Sequence, residues 1–340
     1  MSIVLVFLIG RELMNEVGGL LAAAFFAELS ALPHAYGLAS HATHFVVFFA
    51  CLGSYALLRM EKHRPRLWMT TAGLAFGCAI LMKQHAAFFA AVALVWLLWR
   101  MLVRRESILF CIGIFSISTV VPLLLTSVGL AWAGVWERFN LWTIQYAREY
   151  VSIFPWQVAP HQFAIGFGPI SDDGVWFWLF GLMGTVLIFL QTPYRLAALF
   201  GTGLFFAGLA ATLPGFYFRG HYFLMVMPGI ALLNAALLLE LAERTRRNAH
   251  VQMFQLIPPI LFLVIMGDLA MRNSAVWFTL TPVQAAREIY NYNPFPESPE
   301  IARYLAAHTN PDDTIAVLGS EPQIFFLARR HSASGYIYVY

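Results

Sequence analysis

Charge is what this chain of 340 residues lacks: Asp, Glu, Lys and Arg make up only 11 % of it, where a soluble domain carries about 25 %. A water-soluble fold of this length is thereby excluded, because it could not hide so much apolar surface. Lysine is nearly missing, with Lys62 and Lys83 the two in the chain. Cysteine is scarce too. Cys51, Cys78 and Cys111 sit inside apolar runs with no Cys-x-x-Cys or Cys/His spacing, so they read as small hydrophobes rather than disulfide partners or metal ligands. No Gly-rich phosphate loop, His-Glu-x-x-His or nucleophile elbow occurs, so those motifs point to no chemistry here. The opening Met1-Ser2-Ile3-Val4 has no basic n-region and no small-residue cleavage site after it, so it does not read as a secretory leader.

What is present is hydrocarbon: 60 % of the residues are hydrophobic and the mean hydropathy is +0.68. Apolar runs lie near Val17–Leu32, Phe45–Leu58, Leu67–Met82, Ala86–Val103, Ile108–Trp132, Val175–Leu190, Leu196–Leu213, Tyr222–Leu239 and Met253–Gly267. With interfacial flanks each reaches the roughly 17–25 residues of a spanning helix. Lipid offers no partner to a free backbone N–H, so these runs are expected to be helices. The fold class is therefore an α-helical polytopic membrane protein, with about nine spans over residues 1–267. Gly73, Gly77, Gly201 and Gly203 would let helices approach closely. Ile3–Ile9 is too short to cross a bilayer and reads as the last turns of a helix that begins upstream.

The basic residues orient the chain. Arg11; Arg59, Lys62, Arg64 and Arg66; Arg100, Arg104 and Arg105; Arg195; and Arg244, Arg246 and Arg247 fall in alternate hydrophilic gaps, whereas the intervening gaps hold only Lys83, Arg138, Arg148 and Arg219. Short cytoplasmic loops retain positive charge. The protein is thus expected in the plasma membrane, multi-pass, with its C-terminal tail extracytoplasmic. The net charge of +3 comes mainly from these loop cations and speaks for topology and lipid headgroups, not nucleic acid. The outer side would carry Pro33–His44, Lys83–His85, Ala133–Gly174, Pro214–His221 and the chain after Asp268. In the long loop, Phe139, Trp142, Tyr146 and Tyr150 recur at near-helical spacing and predict a helix lying in the interface, its aromatics acting as membrane anchors.

Residues 268–340 have another composition. Ser298–His308 predicts a helix, Asn310-Pro311-Asp312-Asp313 a turn, Thr314–Leu318 a buried strand, Glu321–Ala328 a second helix and Tyr336–Tyr340 a further strand. This is the start of a small α/β extracytoplasmic domain that reads as incomplete, since a parallel-type strand needs neighbours.

Four polar groups on the outer side need an explanation. Lys83 ends a span in Leu81-Met82-Lys83-Gln84-His85, against the positive-inside bias and with no acidic neighbour in sequence; a boundary cation of this kind either snorkels or binds an anion. The second group is Phe216-Tyr217-Phe218-Arg219-Gly220-His221-Tyr222-Phe223, where Arg219 offers a planar fork to a phosphate and His221 and Tyr222 add donors. A helix beginning at Tyr222 would lend its free N–H groups as well. Glu28, near the outer end of the first full span, is a base, a ligand or an interfacial helix-end residue. His41 and His44 stand at i, i+3, but a metal is not expected there.

Together these passages resemble the GT-C membrane glycosyltransferases, in the bacterial branch similar to protein mannosyltransferases and the aminoarabinose transferases. The likeness is carried by Gly73 through Lys83-Gln84, by Arg219-Gly220-His221-Tyr222-Phe223 through Pro228 and Ala231-Leu232-Leu233, and by Ser298-Pro299-Glu300-Ile301-Ala302-Arg303-Tyr304 through Val317-Leu318-Gly319-Ser320-Glu321-Pro322-Gln323-Ile324. The resemblance implies transfer of a sugar from a polyprenyl-phosphate carrier to a lipid, glycan or protein acceptor at the outer face; the sequence itself shows no required cofactor, and a divalent metal is not expected. It implies that Lys83, Arg219 and His221 meet the carrier phosphate, and the reading of the residues above adds Tyr222 to that phosphate site. It also implies a catalytic Asp or Glu in the family's first outer loop, to which no residue here can be matched; His44 stands where the family often has another acidic residue. A chain that begins after that loop is expected to be inactive by itself, with Glu28 the one weak candidate for a base. A transporter or carrier of a polyisoprenoid-linked substrate is the alternative, for which inverted repeats or broken helices with midplane charges would be expected; the sequence shows neither.

Overall fold

A computed structural model describes residues 1–60, 64–104, 108–247, 252–319 and 321–335. The backbone divides into two units, Met1–Asn273 and Ser274–Tyr340.

The first unit is a helical bundle: α1 (Ser2–Leu13), α2 (Glu16–Leu29), α3 (Ala42–Met60), α4 (Pro65–Met82), α5 (Ala87–Arg104), α6 (Ile108–Trp132), α7 (Trp136–Phe139), α8 (Tyr146–Tyr150), α9 (Ala159–Asp173), α10 (Val175–Met183), α11 (Arg195–Thr212), α12 (Met227–Arg247) and α13 (Ile257–Ser274). Its centre is α12, buried at every residue from Met227 to Glu240 and packed on α2, α10 and α11. That stretch is apolar all round, as a helix surrounded by other helices must be. Its one amide, Asn234, donates from Nδ2 to Ile230 O at 2.8 Å and to Phe177 O at 3.2 Å, which ties α12 to α10. At the far end, buried Glu240 accepts from Arg244 Nε at 2.6 Å and from the Thr192 hydroxyl. By contrast, α6 turns Leu109, Ile117, Leu125 and Trp132 outward, the face expected to meet lipid. The glycine reading holds for α4. A Cβ on Gly73 or Gly77 would stand 2.6 Å from Phe115 O or 2.3 Å from Thr119 O, so only glycine lets α4 lie this close to α6.

Fewer helices than the nine expected spans meet a test of length and hydropathy among the described residues. Five stretches among the described residues are long and apolar enough to cross a membrane: Ala42–Met60, Gln84–Val103, Leu109–Trp132, Arg195–Thr212 and Met253–Thr279. A sixth exists if the bent pair Trp156–Asp173 and Val175–Phe189 forms one span. The shortfall has local causes. With 14 residues, α2 is about 21 Å long, α4 opens on Pro65-Arg66-Leu67-Trp68, and the apolar part of α12 runs into Glu240, Glu243 and Arg244. The bent pair also corrects the expectation of no broken helix: the chain turns by 96° at Gly174, just after Asp172 and Asp173. The helix predicted over the long loop is present, as α7, a π-helical stretch Asn140–Gln145 and α8 in succession, with Trp136, Trp142 and Tyr146 exposed. The helical α9 in the same loop was not anticipated.

Basic residues assigned to one side form local ion pairs there. Arg59 Nη1 meets Glu12 Oε1 at 3.0 Å, which joins the ends of α3 and α1, and Arg247 meets Glu243 at 3.1 Å. Lys62 and Arg105, counted in the same charge pattern, lie outside the described residues.

In the second unit α14 (Pro282–Tyr290), capped by Thr281 and Gln284, precedes α15 (Ser298–His308), β1 (Thr314–Ile315), α16 (Gln323–Ala328) and β2 (His331–Ser332). The two strands pair in parallel, Thr314 with His331 and Ile315 with Ser332. A parallel pair needs a crossover, and α16 provides it. Ala302, Ile315, Ile324 and Ala328 form the core. Arg330 donates from Nη2 to Ala306 O at 3.1 Å and to Thr309 O at 2.7 Å, satisfying carbonyls at the end of α15. The predicted strand Thr314–Leu318 is shorter than expected, β2 was not foreseen, and Ser320 and the strand-like Tyr336–Tyr340 lie outside the described residues.

Candidate functional site

Lys83 is set by the way α4 stops. Its backbone is extended (φ −161°, ψ 128°), which ends the helix before a 3₁₀ turn, Gln84–Ala86, leads into α5. Two bonds hold the junction on either side: Gln84 Nε2 donates to Thr143 O at 2.8 Å, and His85 Nδ1 donates to Ala211 O at 2.9 Å. The ammonium then lies 3.5 Å from the centre of the Tyr222 ring, a cation–π contact. Among the described residues no carboxylate pairs with it. Burial, and the nearby Arg219 charge, push its ammonium down to about 7.

Arg219 reaches the same place from the segment between α11 and α12. Its Nη2 donates to the Tyr150 hydroxyl at 2.9 Å, and its guanidinium lies 5.4 Å from the Tyr217 ring. Tyr217 is stacked on Tyr150 at 4.3 Å and 5°, and donates its hydroxyl to Tyr150 O at 3.2 Å. The long loop thereby clamps the arginine. Phe216 and Phe218 on this segment have φ of 53° and 43°, and Tyr36 in the loop after α2 has 52°. Such backbone costs about 1–3 kcal/mol each and persists where its surroundings over-determine it.

His221 stacks on His41 with centroids 4.2 Å apart and planes 5° from parallel, and packs edge-on against Tyr222. Burial first, then the charges of His41, Lys83 and Arg219, hold the His221 imidazole far below its ordinary range; burial, His44 and Lys83 lower His41 as well. Both rings are neutral near pH 7 and act as hydrogen-bonding groups, not cations. Nδ1 of His221 is buried with no hydrogen-bond partner among the described residues, an arrangement that fits a ligand oxygen. The loop after α2 rests on this segment through Gly220, where a Cβ would stand 2.1 Å from His34 O; no other residue admits that approach.

The four predicted anion-site residues, Lys83, Arg219, His221 and Tyr222, are thus brought together. One expected contribution is corrected. No helix begins at Tyr222: Gly220–Met225 is a 3₁₀ turn, α12 starts at Met227, and the Tyr222 N–H already donates to Arg219 O at 2.8 Å. His41 and His44 do not act as an i, i+3 pair, since His44 turns Nε2 to Gly37 O at 3.0 Å while His41 stacks on His221. Glu28 lies in the last turn of α2, its Oε2 buried and without a hydrogen-bond partner among the described residues. Tyr150 and His41 were missed as site residues. Tyr150 had been placed among the interfacial aromatics, and nothing in its spacing set it apart.

The arrangement gathers two cations, two neutral imidazoles and tyrosine hydroxyls, which is chemistry for an anion. Beside it, Phe163, Phe206, Leu213, Phe216 and Phe218 line an apolar groove of about 670 Å³. An α-helical bundle with helices long and apolar enough to cross a bilayer makes this a multi-pass membrane protein. In comparison with known proteins, residues 1–132 match the family of dolichyl-phosphate-mannose-protein mannosyltransferases. The chain is also 33 % identical over 117 residues to the "Putative mannosyltransferase YycA" of Bacillus subtilis (strain 168). That likeness spans 34 % of this chain and 16 % of the relative. The family match includes Glu28 and Lys83 and stops before Arg219, so only the fold joins the two halves of the site.

Proposed function

We propose that the protein is a membrane glycosyltransferase that takes a sugar from a polyprenyl-phosphate carrier and transfers it to a lipid, glycan or protein acceptor at the extracytoplasmic face. The observation that carries this reading is the meeting of Lys83 and Arg219, close enough for the Arg219 charge to push the Lys83 ammonium down, with no carboxylate among the described residues paired to the lysine. Lys83 and Arg219 hold the carrier phosphate and stabilise the charge that develops on it as the sugar leaves. His221 Nδ1 and the Tyr222 hydroxyl complete the phosphate's hydrogen bonds, and the groove beside Phe216 and Phe218 takes the first prenyl units. The test is the full-length protein in lipid, supplied with polyprenyl-phosphate sugars and an acceptor extract. Sugar should move to the acceptor; carrier that neither binds nor reacts would remove the proposal.

The transporter reading gains one observation, the 96° break at Gly174. Alternating-access folds built from inverted repeats carry such breaks in corresponding positions of both halves, and among the described residues there is one bent pair. The enzyme reading is therefore the one favoured. Orientation is tested separately. Alkaline phosphatase fused after Tyr340 should be active and a fusion after Arg247 inactive; the reverse pattern would place the cation cluster in the cytoplasm and end the outer-face mechanism.

A further inference from the structure

Each of the two cation-bearing junctions sends one side chain to the same stretch of the long loop. From the first, Gln84, the neighbour of Lys83, donates Nε2 to the Thr143 carbonyl at 2.8 Å, within the π-helical stretch Asn140–Gln145. From the second, Arg219 donates Nη2 to the hydroxyl of Tyr150, at the end of α8, at 2.9 Å. The two bonds close 59 and 69 residues of chain. π-Helical turns are rare and occur mostly at functional sites.

Tyr150 is fixed by contacts that do not involve the arginine. Its ring lies flat on Tyr217, whose hydroxyl donates to the Tyr150 carbonyl at 3.2 Å. Phe154 packs edge-on against the same Tyr217 ring at 4.8 Å. Val151 lies against Gly215, where a Cβ would stand 3.2 Å from its Cα. Arg219, by contrast, has reason to swing away. Its charge disfavours the Lys83 ammonium, and while the lysine is charged that push is mutual. An arginine side chain also has many rotamers to escape into.

We infer that Tyr150 is a positioning residue whose hydroxyl holds Arg219 beside Lys83, so that Asn140–Tyr150 acts as a strap keeping both cations turned to one anion. The inference rests on the phosphate site proposed above. A guanidinium has five N–H donors, enough for the Tyr150 oxygen and a bidentate phosphate together. The strap orders the arginine in advance, so the carrier does not bear that cost when it binds.

The experiment measures binding of a polyprenyl-phosphate sugar to the full chain in lipid nanodiscs between pH 6 and 9. Y150F keeps the ring on Tyr217 and removes only the hydroxyl. It should weaken binding about 3- to 10-fold at pH 6, the range of one net hydrogen bond. In an Arg219→Met background Y150F should cost nothing further, because Tyr150 acts through the arginine. The pH profile should move as well. A guanidinium that is no longer held disfavours the Lys83 ammonium less, so the loss of affinity above about pH 7 shifts to higher pH. The other groups that act on Lys83 or face it, Tyr222, His41, His85 and His221, are unchanged by the substitution. A tyrosine that merely packs the loop would lower the melting temperature and leave the profile in place. Y150F within twofold of wild type, an equal loss in the Arg219→Met background, or an unmoved profile overturns the inference and leaves the phosphate site standing. Wild type that binds no carrier removes the phosphate site and the inference with it. Should Y150F fail to fold, hydrogen exchange of the wild type decides: bound carrier should slow the amides of residues 140–150, and unchanged exchange overturns the inference.

Discussion

Lys83→Met and Arg219→Met are each expected to weaken binding of a polyprenyl phosphate by about 1.5–3 kcal/mol, the scale of a hydrogen bond to a charged group, or roughly 10- to 150-fold. The two losses should not add. In the proposed site Lys83 and Arg219 would share one anion, and the Arg219 charge disfavours the Lys83 ammonium when the site is empty, so removing either also relieves the empty site. That gives the lysine variant a second signature: without carrier, Lys83→Met should melt at a temperature no lower than wild type. Methionine keeps the packing against Tyr222 and removes a desolvated charge. Arg219→Met differs, because it also releases the Tyr150 hydroxyl that the guanidinium now holds. Binding measured by tryptophan fluorescence in nanodiscs checks both. Affinities of both variants within twofold of wild type would show that the phosphate sits elsewhere.

Carrier affinity should also depend on pH, with a direction set by Lys83. Its ammonium is held down to about 7 by burial and by Arg219, so the empty protein loses this proton as pH rises through neutrality. Binding of an anion favours the charged form, and the complex keeps the proton to higher pH. Affinity is therefore full below about pH 7 and falls above it, by up to about tenfold per unit until the bound lysine also titrates. The facing groups do not confuse the slope. His221 and His41 are lowered and stay neutral across this window, while burial raises the Tyr150 hydroxyl, which stays protonated. A phosphodiester-linked sugar carrier keeps the ligand charge constant. In Lys83→Arg the guanidinium does not titrate, and the slope should vanish. A wild-type affinity flat from pH 6 to 9 would mean that Lys83 does not touch the anion.

The same linkage acts on stability, in the opposite sense to a paired lysine. The unfolded chain holds the Lys83 proton up to its ordinary range near 10.5, while the folded, empty site releases it above about 7. Between these values the unfolded state binds more protons, so the empty protein gains stability as pH rises. Bound carrier should reduce that gain, and the two melting curves should converge at alkaline pH.

How much of this was legible in the sequence follows from the range of the forces involved. Membrane character needs only composition, because lipid or water must be met by whatever side chains a segment carries. Helices follow from the same local condition, since a backbone in hydrocarbon must satisfy itself. Lys83 and Arg219 stood out for a related reason: each is a cation in the gaps where the positive-inside pattern has few. Span count was less legible. Apolar runs of similar length became a 14-residue α2, a buried α12 and a pair broken at Gly174, and hydropathy does not distinguish burial in protein from burial in lipid.

By itself, then, the sequence determined that this is a helical membrane protein and singled out Lys83 and Arg219 as cations in need of an explanation. Only the tertiary structure decided what surrounds them. Tyr150 on Arg219, His41 on His221 and Asp173 on His34 join segments distant in the chain. None of these pairs has a local signature, because each joins segments that only the packing of the bundle brings together. Composition and periodicity report what a residue requires of its environment; packing of the whole bundle selects the side chain that meets the requirement.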